Sequence, residues 1–240
     1  MTPLVIIGTG GHGREALDIV EAINARSPTF EFLGFVDEQR GNELLVAARG
    51  ARIIGSLESL RERTLDIRHV IGIGSGDIRY VIGIGSGDIR RRIDQQLSDH
   101  GFEPATLVHP DATIGAVVTL GAGVVVAAGA RITTNVTLGR HAHVNVNASV
   151  SHDCRIADYV TVSPGVTVSG TVSIGEGTLM GAGSTVIQNR TIGAWVTVGA
   201  GAVVVTDLAD GVTAVGVPAS PRRTAIETKG DKVTPTRQKP

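Results

Sequence analysis

The chain has 240 residues, a formal net charge of −1 and one cysteine, Cys154; 42% of its residues are apolar, 3% are aromatic and 32 are glycine. Balanced charge excludes a basic surface for a nucleic-acid backbone, and one cysteine excludes an internal disulfide or a cysteine-cluster metal site. Glycine at about twice its usual share, with so few rings, predicts a repetitive, tightly turned backbone around small and branched side chains.

The N-terminus predicts a first strand over Leu4–Ile7 rather than a signal peptide, because no basic segment precedes its apolar run. No run of 18 apolar residues is present to cross a membrane, and the lone cysteine suits a reducing cytoplasm. Gly8, Gly10, Gly11 and Gly13 follow the strand, then a helix with Ala16, Leu17, Ile19, Val20 and Ile23 on one face. Strand, glycine turn and helix open a Rossmann-like, nucleotide-binding βα unit, where the backbone can approach a diphosphate at a helix N-terminus. A second strand over Phe32–Val36 ends at Asp37 and Glu38. Asp37 suits a ribose or a base as well as it suits a strand-end turn. A loop and a short helix are expected over Gly55–Leu60.

The segment VIGIGSGDIR occurs at Val70–Arg79 and again at Val81–Arg90, eleven residues later. One copy suffices for a strand, a glycine turn and the start of a helix over Asp88–Leu97. The other is surplus and reads as a local duplication.

From Val108 a period of six appears. Every sixth residue from 108 to 204 is aliphatic, 17 positions in all, and the next residue is often small, as at Gly115, Gly121, Ala127 and Gly139. Neither a helix nor an alternating strand has this period. A parallel β-helix has it: each hexad forms one face, and three faces close a coil of 18 residues with the aliphatic inside. Coils would stack at about 4.8 Å, the ordinary strand spacing. The coils should end near Asp207–Pro218, and a polar tail follows Ser220.

Against this ladder, residues 140–154 stand out, with His141, His143, Asn145, Asn147, His152 and Asp153. His152 lies two residues after Val150 and should point out near a corner, with Asp153 placed to orient it. An imidazole there can take a proton from an amine or a hydroxyl at neutral pH; a surface or subunit-contact histidine is the plainer alternative. Gly170, one coil above His152, would leave room beside the ring. The three histidines lack an evident fourth ligand, so no metal is expected. Asn145 and Asn147 suit turn ladders, and Tyr159 would stack above His141. Cys154 should point inward.

GTGGHGRE at 8–15, GFVDE at 34–38, the hexad array, SHDC at 151–154, SPG at 163–165 and VGVPA at 215–219 together resemble one family. It is the bacterial sugar O- and N-acyltransferases with a left-handed parallel β-helix, in particular the group of sialic acid O-acetyltransferases and nucleotide-4-aminosugar N-acetyltransferases. The resemblance implies a Rossmann-like nucleotide-sugar-binding domain at 1–104, a β-helix at 105–219 and a tail at 220–240. It implies acetyl-CoA as acyl donor, held near Gly170, Gly181 and Gly183, a cytoplasmic homotrimer with sites between subunits, and His152 and Asp153 as the catalytic pair. Substrate contacts are implied at Gly8, Gly10, Gly11, His12, Asp37, His143, Asn145 and Thr161. Members usually carry glycine where this chain has Ser151, and several carry a second histidine at the place of Thr161. The expected reaction is direct acetyl transfer to the amine of a nucleotide-linked 4-amino-deoxysugar. Transfer to a hydroxyl of sialic acid, or a non-catalytic scaffold or binding module, are the other readings.

Overall fold

The computed structural model describes residues 1–38, 41–62 and 78–222. The sequence opens with apolar β1 (Thr2–Ile7), then α1 (Gly11–Arg26), β2 (Phe30–Val36), α2 (Glu43–Ala47), β3 (Ile53–Gly55), α3 (Leu57–Arg61), β4 (Arg79–Ile82), α4 (Gly87–Ser98) and β5 (Glu103–Pro104). These strands form one parallel sheet in the order β3-β2-β1-β4-β5. Its carboxyl edge is where an open α/β sheet presents ligands. The second copy of the duplicated segment supplies the last two residues of β4, the glycine turn and the first turn of α4. Of the first copy, residues 70–77 lie outside the described residues, as does the tail from 223.

From Leu107 the chain winds into two-residue strands, each pairing in parallel with the strand 18 residues on, such as Arg131 with Ser149 and His143 with Thr161. Three stacked sheets result, so the section is a triangle. Val126, Leu138, Val150, Val162, Val168, Val186 and Val198 are buried along the axis with the small residues two positions earlier, including Ala130, Ala148 and Cys154. Ile114, in the first coil, is instead 38% exposed, because no coil covers that end.

The corners use two kinds of residue. Every sixth position from Val117 to Gly201 adopts a left-handed φ between 51° and 76°. Glycine fills several of these, and Asn135, Asn147 and Asp153 fill others, as their short polar side chains permit. The small residues directly after the aliphatics serve a different purpose. A Cβ on Gly181 would lie 2.6 Å from the Ala200 nitrogen of the next coil, so glycine there permits coil stacking.

The last parallel strand of the β-helix, Thr213–Val215, lies inside the stretch Asp207–Pro218 where the coils were expected to end. Thr197 pairs in parallel with Thr213, and Ser220–Pro221 then adds an antiparallel strand to Thr213–Val215. The antiparallel strand covers the open edge of the final face.

The α/β domain packs on one face of the triangle. Leu4, Ile6, Leu17 and Val20 share a core with Leu107, Val125 and Ala127 of the coils.

Candidate active site

His152 and Asp153 sit between the strands Ser149–Val150 and Arg155–Ile156, at the corner where the second and third faces meet. The His152 side chain is 59% exposed, and its Nδ1 lies 2.8 Å from Asp153 Oδ2. An ionised carboxylate only accepts, so the imidazole proton sits on Nδ1 and the Nε2 lone pair is free. The turn that brings the two together is the left-handed φ of 61° at Asp153. The other carboxylate oxygen accepts from Asn135 Nδ2 at 3.1 Å. Hydrogen bonds from His152 and then Asn135 hold the Asp153 carboxyl below its ordinary range. Asn135 escapes a motif search, but the 18-residue repeat places it directly beneath Asp153.

Gly170 lies above the ring. A Cβ there would come within 2.4 Å of His152 Cε1 and 2.5 Å of Nε2. The space left by the missing side chain is occupied by the imidazole itself. Cys154 is buried, its Sγ donating to the Ser169 carbonyl at 3.1 Å. Burial raises its pKa, so it is a poor nucleophile.

The opposite side of the triangle carries the face under the α/β domain, which includes His143–Val144 and Thr161–Val162. Here α4 enters with Arg90 and Asp94, one helical turn apart and both buried. Arg90 donates to the carbonyls of Ile84 and Gly85 at 2.9 Å and of Tyr159 at 2.6 Å, and to Thr161 Oγ1 at 2.9 Å. Burial pulls its pKa down to about 9, so it stays charged at neutral pH, solvated by carbonyls. Asp94 accepts two bonds from Arg140 at 2.6 Å, one from His141 Nε2 at 2.9 Å and one from Tyr159 Oη at 2.6 Å. Burial alone would raise the Asp94 carboxyl, but bonds from His141 and Arg140 hold it well below the usual range. Tyr80 and Tyr159 stack on either side of the His141 ring, with centroids 5.8 and 5.9 Å away.

The glycine turn lies at the carboxyl edge of the sheet. Gly8 has a φ of 96°, and a Cβ on Gly13 would collide with the Gly8 carbonyl at 1.9 Å. Among the described residues nothing lies within 4 Å of a Cβ on Gly10 or Gly11. Asp37 Oδ2 accepts from the Thr9 amide at 2.7 Å and the Thr9 hydroxyl at 2.5 Å. It braces the turn from the second strand.

Comparison with known proteins shows what this architecture is. The family model described as the PglD N-terminal domain matches residues 3–97. The acetyltransferase domain of PglB from Neisseria gonorrhoeae FA1090 is 33% identical, with 92% of this chain and 100% of that chain covered and a TM-score of 0.80. A second structure of that domain is in complex with acetyl coenzyme A. PerB from Caulobacter crescentus, in complex with CoA and GDP-perosamine, is 34% identical over 93% of this chain and 98% of that one, with a TM-score of 0.78. WeeI from Acinetobacter baumannii AYE, at 24% identity and a TM-score of 0.76, shares the fold. A search of curated proteins returned no match. The chain belongs to the bacterial sugar N-acetyltransferases with a left-handed β-helix.

Within this acetyltransferase, the residues expected to touch substrate separate into three places. Gly8, Gly10, Gly11, His12 and Asp37 gather at the glycine turn. His143, Asn145 and Thr161 lie on the face beneath the α/β domain and are buried. Asn145 Nδ2 donates to the Val162 carbonyl at 3.0 Å. Thr161 Oγ1 donates to the Gly85 carbonyl at 2.8 Å and accepts from Arg90. In this chain Thr161 thus binds the two domains together. His152 and Asp153 stand apart from both groups. Of the three glycines expected along the acyl donor, Gly183 has a φ of 66° and open space around it, whereas Gly170 and Gly181 face their own chain. The sequence reading missed Asn135, Arg90 and Asp94.

Proposed function

We propose that this chain transfers the acetyl group of acetyl-CoA to the amine of a nucleotide-linked 4-amino-deoxysugar, with His152 as general base. The observation that carries this reading is the His152–Asp153 bond, which leaves Nε2 unprotonated at an exposed corner. The amine nitrogen attacks the thioester carbonyl and gives a proton to Nε2. As the C–S bond breaks, the coenzyme A thiolate leaves and takes up that proton. Asp153 stabilises the imidazolium between the two events, and Asn135 fixes Asp153.

Residues 1–104 act as the nucleotide-sugar domain in this reading, the diphosphate lying at the glycine turn and the N-terminus of α1, with Asp37 beside it. Residues 105–219 act as the acyltransfer domain, and acetyl-CoA runs along the coils past the open corner at Gly183. Both substrates belong to the cytoplasm, and we place the reaction there. Because His152 lies on the corner opposite the face covered by its own α/β domain, a neighbouring chain must bring its glycine turn to that corner. A homotrimer with sites between subunits supplies this arrangement.

The test is thiol release from acetyl-CoA with a panel of UDP-, GDP- and dTDP-linked 4-amino sugars and with sialic acid. Turnover with an amino sugar is expected. Turnover confined to sialic acid, or with no acceptor, overturns the reading, and a stable monomer in sedimentation overturns the shared site.

A further inference from the structure

His12, the second residue of α1, meets His143 of the coils across the domain boundary. His12 Nε2 lies 2.8 Å from His143 Nδ1, and the ring centroids are 4.9 Å apart. His12 Nδ1 is 3.2 Å from Glu15 Oε2. His143 is fully buried, and its Nε2 has no hydrogen-bond partner among the described residues.

A contact between two neutral imidazoles needs one donor and one acceptor. If His12 Nε2–H donated, the His143 proton would sit on Nε2, a buried donor left unpaired at a cost of about 1–3 kcal/mol. The bare Nδ1 of His12 would then face the Glu15 carboxylate. With the protons reversed, both faults vanish. His143 Nδ1–H donates to His12 Nε2, and His12 Nδ1–H donates to Glu15. The unpaired atom is then a lone pair, in a region that feels the positive charge of Arg90. Burial lowers the pKa of both rings, consistent with two neutral imidazoles.

The His12 side chain is 20% exposed and that of Glu15 is 63% exposed. Among the described residues none caps the N-terminus of α1 with its side chain, and the first turn of the helix holds no acidic residue. It therefore retains the unpaired amides and positive potential that favour an anion.

We infer that His143 is a positioning residue that fixes the tautomer of His12, so that the Nδ1–H, held by Glu15 in the free protein, is handed to the diphosphate of the incoming nucleotide sugar. This rests on the nucleotide-sugar reading above. In this reading His143, which is fully buried, acts through His12 and not by touching the substrate itself.

The test combines tautomer and binding measurements. Long-range proton–nitrogen NMR correlation on ¹⁵N-histidine-labelled protein should show His12 protonated at Nδ1. His143→Asn keeps an N–H at the place of Nδ1, whereas His143→Leu removes it. His143→Leu should lose the fixed tautomer, weaken binding of GDP or UDP about tenfold, the scale of one charge-assisted hydrogen bond, and raise KM with little change in kcat. His143→Asn should restore both. A wild-type His12 protonated at Nε2 overturns the inference whether or not the variants fold. So does His143→Leu that binds the bound nucleotide as wild type does. If wild type binds no nucleoside diphosphate, the nucleotide-sugar reading itself fails, and the diphosphate role of His12 with it.

Discussion

The His152 ring fills the volume that a side chain on Gly170 would need, the two positions being one coil apart. Gly170→Ala should push the imidazole off Asp153 while leaving the ladder intact, since the clash is with the exposed end of a side chain and not with backbone. A misplacement near 1 Å costs about a hundredfold in rate. Thiol release should fall by about that factor with an unchanged melting temperature. Unchanged kcat would mean that the ring position seen here is not the active one.

His152→Ala should lower kcat by about 10²–10⁴-fold, the usual worth of a general base. Asp153→Asn should cost less, and Asn135→Ala least, because each is one hydrogen bond further from the proton. Steady-state kinetics on the three variants, each folded by circular dichroism, check this order. Asn135→Ala more damaging than Asp153→Asn would break the relay.

Arg90 and Asp94 clamp the domains by different chemistry. Arg90→Leu leaves carbonyls of both domains unpaired, and Asp94→Leu strands Arg140 and three further donors, Tyr80, Tyr159 and His141. Removing one partner of such a buried network costs about 3–5 kcal/mol. Both variants should unfold at lower urea concentration. Urea midpoints equal to wild type would show that α4 does not carry the domain contact.

The buried histidines make stability pH-dependent. Burial lowers the pKa of His12, His141 and His143 below the ordinary 6.5. Unfolded, each binds a proton more readily, so their support is complete above about 6.5 and is lost as the pH falls below it. The melting temperature should therefore begin to decline near pH 6.5, before the carboxylates titrate. A flat profile down to about pH 5 would contradict the burial of these rings.

The coils were legible because their cause is local and repeated. A six-residue period needs only that each aliphatic find the axis, and a single strand or helix cannot mimic it. The same arithmetic places Gly170 over His152 and Asn135 under Asp153, since a stacked coil is an 18-residue offset. Only the tertiary structure decided which residues of the two domains meet. Arg90 reaches Tyr159, and His12 reaches His143, across 69 and 131 residues, separations that no period encodes. The packing of α4 and α1 on one face of the triangle made Thr161 and His143 buried joints between the domains. It also put His152 on the far corner. The sequence alone singled out His152 and Asp153, the proposed base and its carboxylate; burial of the β1–α1 core against Val125 and Ala127 decided which face of the triangle the α/β domain covers, and so placed the glycine turn away from the corner that carries His152.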